Sequence, residues 1–141
     1  MSYTKAIITA ILSILIVPVV ATGCSAVDAP VINEVISTQT ADKMIQSNKD
    51  NPIFVILDVR TPDEFNAGHI AKASMVDYES QDFNAKISEL DRNRKYLVYC
   101  RTARRSALAV KVMKDLGFRE VYDMAKGINQ WEAEGLTVVT N

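Results

Sequence analysis

The stretch Tyr96-Leu97-Val98-Tyr99-Cys100-Arg101-Thr102-Ala103-Arg104-Arg105-Ser106 decides both the fold and the chemistry that this chain suggests. The first four residues of this stretch suit a buried strand. A helical pattern begins after the short loop and lasts to Leu116. Cys100 therefore stands where a strand ends, directly before a short loop and a helix. The first N–H groups of a helix have no partner within the helix and form an anion site, so a cysteine thiolate placed there is stabilised.

Three arginines crowd the start of the same helix. Arg101, Arg104 and Arg105 place cations near the positive end of the helix dipole, where each is unfavourable by about 0.3–1 kcal/mol. Residues that destabilise their local structure in this way concentrate at functional sites. A bound oxyanion would relieve the cost, because the guanidinium fork suits oxyanions. We interpret this loop as a pocket for a small anion beside a reactive thiolate, in preference to an inert, buried cysteine next to a solvated turn.

Composition limits the classes of protein that the chain can belong to. The 141 residues suffice for one domain and an N-terminal segment, with 48% hydrophobic and 23% charged residues. A net charge of −1 argues against a general nucleic-acid surface. Cys24 and Cys100 do not resemble a disulfide framework, and with His69 as the one histidine a zinc site has too few ligands.

The N-terminal segment resembles a secretory signal. Lys5 precedes an uncharged run whose most apolar part is Ala6–Val20, and small residues follow up to Cys24. We expect residues 1–23 to be a lipoprotein signal with lipid on Cys24; an uncleaved membrane anchor is the alternative. Either way, the domain is expected to be extracytoplasmic and membrane-anchored, at the periplasm or the cell surface. Residues 24–35 would then be a linker, and residues 36–141 the folded domain.

The rest of the chain alternates strands with helices. The apolar runs at 53–57, 73–76, 96–99 and 120–122 predict strands. Helices are expected to start near Ser37, Thr61, Phe83 and Gly127, in addition to the one after Cys100. Gly117 is expected to end that central helix. The pattern predicts an α/β fold, an open and mostly parallel sheet with helices on both faces and a site at the carboxyl ends of the strands.

Three segments resemble the rhodanese-like family, and the resemblance covers about residues 35–139. The first runs from Asp58 to Ile70, the second is the loop from Cys100 to Ser106, and the third runs from Met124 to Trp131. The resemblance implies sulfurtransferase chemistry, in which Cys100 takes a sulfur atom from thiosulfate or a persulfide donor and a thiol or cyanide removes it. It implies that no metal or organic cofactor is needed.

The resemblance also assigns roles to individual residues. Cys100 would be the catalytic nucleophile, and the five loop residues would bind the anionic donor: Arg101, Thr102, Ala103, Arg104 and Arg105. Arg105 is expected to turn into the pocket, with Arg101 at the rim and Arg104 in solvent. Asp58, Arg60 and Ser106 would support the site.

Two positions depart from the family pattern. Ala103 and Lys126 both stand where the family often has glycine, so the loop backbone must avoid positive φ or bear strain, and an ammonium could lie near the pocket. These departures keep a second hypothesis open, a sulfur-carrier or binding module with poor turnover. A third is a cysteine phosphatase or arsenate reductase, whose loop has an arginine six residues after the cysteine; here that residue is Ser106.

Four further residues invite a functional interpretation. We expect His69 to be a hydrogen-bonded structural residue and Trp131 to be a core residue. Glu64 is expected to belong with Asp58 and Arg60 to an ion-pair network that fixes the loop after its strand. Asp123 could approach the pocket, although the sequence does not fix the direction of its side chain.

Overall fold

The computed structural model describes residues 32–140. Five strands form one sheet: β1 (Ile32–Ile36), β2 (Phe54–Asp58), β3 (Ser74–Met75), β4 (Lys95–Tyr99) and β5 (Glu120–Met124). Five helices connect them: α1 (Thr38–Ser47), α2 (Pro62–Ala67), α3 (Phe83–Ser88), α4 (Arg104–Asp115) and α5 (Gly127–Ala133). The strand order is β1-β5-β4-β2-β3, and every neighbouring pair is parallel. The predicted α/β fold is confirmed.

Two apolar cores lie on opposite faces of this sheet. Side chains point alternately to the two faces of a strand, so Leu97 and Tyr99 pack with α1 and α5, while Val98 and Cys100 pack with α3 and α4. The central strand β4 is buried from Tyr96 to its end. It delivers Cys100 to the carboxyl edge of the sheet between two covered faces.

Local sequence signals explain where the helices begin and end. Ser37 caps α1 by accepting a hydrogen bond from the Thr40 amide. Thr61 and Glu64 form a reciprocal capping box at α2. Gly117, with φ of 83°, follows the last turn of α4 as the sequence predicted.

The predicted start of the domain needs a correction. Residues 32–35, assigned to the linker from the sequence, belong to the edge strand β1, which pairs with β5 from Ile32↔Glu120 to Ile36↔Met124. Three consecutive exposed residues hide this strand, because an edge strand need not show an apolar pattern. The predicted signal and Cys24 lie outside the described residues. Between residues 32 and 140, no helix has the length and apolar character that crossing a membrane requires.

Candidate active site

Cys100 is the first residue after β4 and carries a free thiol. It is 1% exposed and belongs to the core cluster on the α4 side of the sheet, with Val98, Ala109 and Met113. The sequence predicted a thiol facing an open pocket. The structure instead places the residue beneath the loop, so a donor has to reach the sulfur past residues 101–105.

The peptide groups after Cys100 are oriented by α5. The carbonyl oxygens of Cys100 and Arg101 accept hydrogen bonds from the amides of Ile128 (2.9 Å) and Asn129 (3.2 Å). In a trans peptide group the N–H points opposite to the C=O, so the amides of Arg101 and Thr102 point away from α5. No oxygen of residues 32–140 accepts a hydrogen bond from the N–H groups of residues 101–106. The loop thus offers a set of free donors beside Cys100, as an anion requires.

Ala103, the N-cap of α4, has φ of 73° and ψ of −5°. This left-handed conformation is unfavourable for any residue with a Cβ atom. The sequence left open whether the backbone at residue 103 avoids positive φ or bears strain, and the structure shows the strained conformation.

We expect Ala103→Gly to stabilise the protein. Glycine removes about 1–2 kcal/mol of left-handed strain and costs about 0.5–1 kcal/mol of backbone entropy, so the free energy of unfolding should rise by about 0.5–1 kcal/mol. Urea unfolding measures the change. The control is Ala107→Gly, an exposed position inside α4 that should lose about 1 kcal/mol. A loss at Ala103 as large as the loss at Ala107 would contradict the strained conformation.

A cavity of about 510 Å³ opens over the loop. It is lined by the following side chains: Arg101, Thr102, Arg104, Arg105, Glu64, Glu79 and Asn129. Two of these, Glu79 and Asn129, were not among the sequence candidates. Asn129 lies in the third segment of the family resemblance, which could have suggested it, whereas no local pattern points to Glu79.

Arg105 is held by Glu64. Its two terminal nitrogens donate to the two carboxylate oxygens at 2.7 and 2.8 Å, and Glu79 lies 3.7 Å from the same guanidinium. The hydrogen bond from Arg105 lowers the pKa of Glu64 to about 2. Arg105 lines the cavity as predicted. Because its guanidinium is paired with Glu64, it forms part of the cavity wall and is not a free anion ligand.

Arg101 and Arg104 remain as the cations of the cavity. Among residues 32–140, no carboxylate forms an ion pair with either guanidinium, and both residues are exposed. Arg101 also lines an adjoining cavity of about 250 Å³ that reaches Arg60 and Asn129. The two unpaired arginines give the mouth its positive charge.

Asp58 and Arg60 form a buried ion pair at the end of β2. The Nε and one terminal nitrogen of Arg60 donate to the Asp58 carboxylate at 2.6–3.0 Å, and the same terminal nitrogen donates to the Gly68 carbonyl at 2.6 Å. The guanidinium lies 5.7 Å from the centre of the Tyr99 ring, whose pKa is raised by burial and by the nearby Asp58 charge. The pair ties β2 and the turn at Gly68 to the last residue of β4. The predicted ion-pair network is present, with Glu64 joined to Arg105 instead of Arg60.

Three other predictions can be compared with the structure. His69 is buried, its Nδ1 lies 2.9 Å from the Phe65 carbonyl oxygen, and its ring stacks on Phe65, as a structural histidine would. Trp131 is buried, and its Nε1 donates to the Thr137 carbonyl. The sequence left open whether the Lys126 ammonium lies near the loop; Lys126 lines a separate cavity that includes Ser37 and Glu134. Lys126 is the N-cap of α5, with φ of 60°.

Comparison with known proteins adds to this geometry. A family model described as "Rhodanese-like domain" matches residues 37–134. A solved structure of a rhodanese-related protein from Thermoplasma volcanium superposes with a TM-score of 0.64 and 32% identity, covering 77% of this chain and 99% of that one.

Two curated relatives that are similar to this chain carry sulfur-related names. A "Sulfurtransferase" of Allochromatium vinosum is 27% identical over 108 residues, which is 77% of this chain and 95% of that protein. The "Putative sulfur carrier protein YrkF" of Bacillus subtilis is 32% identical over 76 residues, 54% of this chain. The match spans 40% of the length of that carrier, so it concerns one part of a longer protein.

Proposed function

Since this chain belongs to the rhodanese-like domain family, we propose that it is a sulfurtransferase that carries a sulfane sulfur on Cys100. The observation that carries the proposal is the set of N–H groups at residues 101–106, directly after the buried Cys100, that have no acceptor among residues 32–140. Preorganised amides stabilise a negatively charged sulfur without reorganisation at the moment of reaction. Thiosulfate or a persulfide is the proposed donor.

The proposed transfer has two displacements. The Cys100 thiolate attacks the outer sulfur of thiosulfate, a bond forms between the two sulfur atoms, and sulfite leaves with the electron pair of the broken S–S bond. Cyanide or a thiol then attacks the outer sulfur of the persulfide, and Cys100 leaves as a thiolate. Each step transfers one sulfur atom at the sulfane oxidation level, so neither step needs an external oxidant or reductant. Loop amides at residues 101–106 hold the negative charge in both steps.

The proposal predicts sulfur loading of the purified full chain. After incubation with thiosulfate and removal of excess reagent, intact-mass spectrometry should show a gain of one sulfur atom, which peptide mapping places on Cys100. Cys100→Ser should show no gain, because a hydroxyl does not form the persulfide. The absence of an adduct with thiosulfate and with organic persulfides would contradict the proposed function.

Arg101 and Arg104 are the proposed contacts of the anionic donor. Removing one exposed charge near a dianion costs up to about 1 kcal/mol, so Arg101→Gln should raise the KM for thiosulfate about threefold to fivefold with little change in kcat. The effect should shrink at high salt. Lys114→Gln, an exposed change in the last turn of α4, is the control. An equal KM change in both variants would point to net charge instead of a local contact.

A sulfur-carrier function is the second candidate. The 1% exposure of Cys100 favours it, because a buried persulfide is protected from small acceptors, and one relative bears a sulfur-carrier name. The release of sulfur separates the two candidates. A loaded enzyme should convert cyanide to thiocyanate over many turnovers, whereas a carrier should keep its sulfur until a partner thiol is supplied.

We also propose that the domain is tethered to a membrane outside the cytoplasm. The support is the sequence alone: Lys5, the apolar run Ala6–Val20 and the position of Cys24. Intact-mass spectrometry of chain isolated from membranes tests this proposal. A lipidated chain that begins at Cys24 is expected, and a water-soluble chain with a free thiol at Cys24 would contradict it.

A further inference from the structure

A buried carboxyl group lies behind the loop and has no part in the transfer described above. Asp123 on β5 is 4% exposed, and its Oδ1 has no hydrogen-bond partner among the described residues. Such an unsatisfied acceptor is costly in a protein interior and calls for an explanation. Asp123 pairs in register with Val98, two residues before Cys100, and it points to the same sheet face as Val121, which packs with Cys100. The carboxyl therefore belongs to the layer between the sheet and α4.

Ser106 connects this carboxyl to the loop. It is fully buried in the first turn of α4, and its hydroxyl donates to the Ala103 carbonyl at 3.2 Å. Burial raises the pKa of the Asp123 carboxyl, and the Ser106 hydroxyl opposes this rise by favouring the ionised form. A serine hydroxyl has a single hydrogen to donate, so Asp123 and the carbonyl of Ala103 compete for it.

We propose that Asp123 is a positioning residue of the sulfur-transfer site, which acts by drawing the Ser106 hydroxyl away from the strained Ala103 and so changes the loop around Cys100. When the carboxyl is protonated, Ser106 holds the Ala103 carbonyl and keeps the loop in the observed arrangement. When the carboxyl loses its proton to solvent, the Ser106 hydroxyl donates its hydrogen bond to the carboxylate instead. This inference rests on the proposed function, because it takes Cys100 as the sulfur-carrying group.

The ionisation of Asp123 falls close to neutral pH. Burial raises the pKa of Asp123 to about 6, and the Ser106 hydroxyl opposes that rise. From β4, Cys100 is the titratable group on the same face at this end of the sheet. From α4, Arg104 is exposed and Arg105 is bound to Glu64. From β1, Glu34 is in register with Tyr122, on the opposite face. The pH of the solvent can therefore set the charge of Asp123.

The test compares the rate at which Cys100 reacts in the wild-type chain and in Asp123→Asn, whose side chain stays neutral. Iodoacetamide labelling of the residue-100 peptide and persulfide formation from thiosulfate are both followed from pH 5 to pH 7.5. The ratio of the Asp123→Asn rate to the wild-type rate should be near one at pH 5. It should rise to about fivefold above pH 6, where wild-type Asp123 is ionised.

Two further variants make the test specific. Asp115→Asn removes an exposed carboxylate from the far end of α4 and should leave the ratio near one at every pH. In a Ser106→Ala background, Asp123→Asn should lose most of its pH-dependent effect. A flat ratio for Asp123→Asn, or a full effect without the Ser106 hydroxyl, overturns the proposal.

A measurement without substitution covers the case in which Asp123→Asn does not fold. The carbon-13 carboxyl resonance of Asp123 should titrate near pH 6 in the wild-type chain, and its midpoint should shift once Cys100 is alkylated, because coupling between two sites is reciprocal. An unchanged midpoint overturns the proposal.

If no donor loads sulfur but labelling still depends on Asp123, the proposed function fails and the coupling stands. If sulfur loads with no dependence on Asp123, this inference alone fails.

Discussion

Gly127→Ala should cost at least about 4 kcal/mol of folding free energy and abolish sulfur loading on Cys100. A Cβ atom at this position would overlap the Cys100 carbonyl oxygen and lie 2.5 Å from the carbonyl carbon of Arg101. Both contacts are with backbone, which cannot move aside as a flexible side chain can. Relief requires α5 to retreat, which breaks the hydrogen bonds from Ile128 and Asn129 that orient the loop. Denaturant unfolding and intact-mass spectrometry after thiosulfate measure the two effects.

Gly135→Ala is the matched control for this substitution. Gly135 also has positive φ, 73°, but its added Cβ would meet nothing within 4 Å. This variant should therefore lose about 1–2 kcal/mol to left-handed strain and regain about 0.5–1 kcal/mol of backbone entropy, a net loss of about 0.5–1 kcal/mol, and keep its sulfur loading. Equal losses in the two variants would mean that the contact between α5 and the Cys100 loop is not what Gly127 protects.

Arg60→Met should destabilise the protein by about 3–5 kcal/mol, because it leaves the fully buried Asp58 carboxylate without its cation. Methionine keeps much of the apolar stem of arginine, so the loss reports the charge more than the packing. The hydrogen bond to the Gly68 carbonyl is lost as well. Chemical denaturation at neutral pH gives the change in the free energy of unfolding.

A second substitution separates the charge from the other contacts of Arg60. Asp58→Asn in the Arg60→Met background removes the stranded charge and should recover part of the stability. Lys111→Ala breaks the exposed Lys111–Asp115 pair on α4 and should change stability little, because water already solvates both groups. A single Arg60→Met variant as stable as Lys111→Ala would show that the buried pair does not hold β2 to the end of β4.

Local patterns were enough to predict most of the fold. An apolar run that ends in Cys100, followed by helical periodicity up to Gly117, placed β4 and α4 within a few residues of their observed bounds. Caps at Ser37 and Thr61 placed α1 and α2 for the same reason, since capping depends on neighbours in sequence. The edge strand β1 was missed, because its pairing with β5 is a long-range contact.

Side-chain partners at the site could not be predicted in the same way. The ion pair of Arg105 with Glu64 joins positions 41 residues apart, and the direction of Lys126 depends on how α5 leaves β5. The burial of Cys100 was likewise missed, because it results from the packing of α4 on the sheet. The strand–loop–helix pattern identified the loop, and the tertiary structure determines which of its arginines are free.

In the proposed sulfurtransferase, the N–H groups of residues 101–106 hold a negatively charged sulfur on Cys100. Amide proton and nitrogen shifts of the full chain, recorded before and after loading with thiosulfate, report these hydrogen bonds residue by residue. The largest downfield amide proton shifts should fall within residues 101–106 and be absent in Cys100→Ser. Persulfide formation on Cys100 that leaves these amides unshifted would show that they do not hold the charged sulfur.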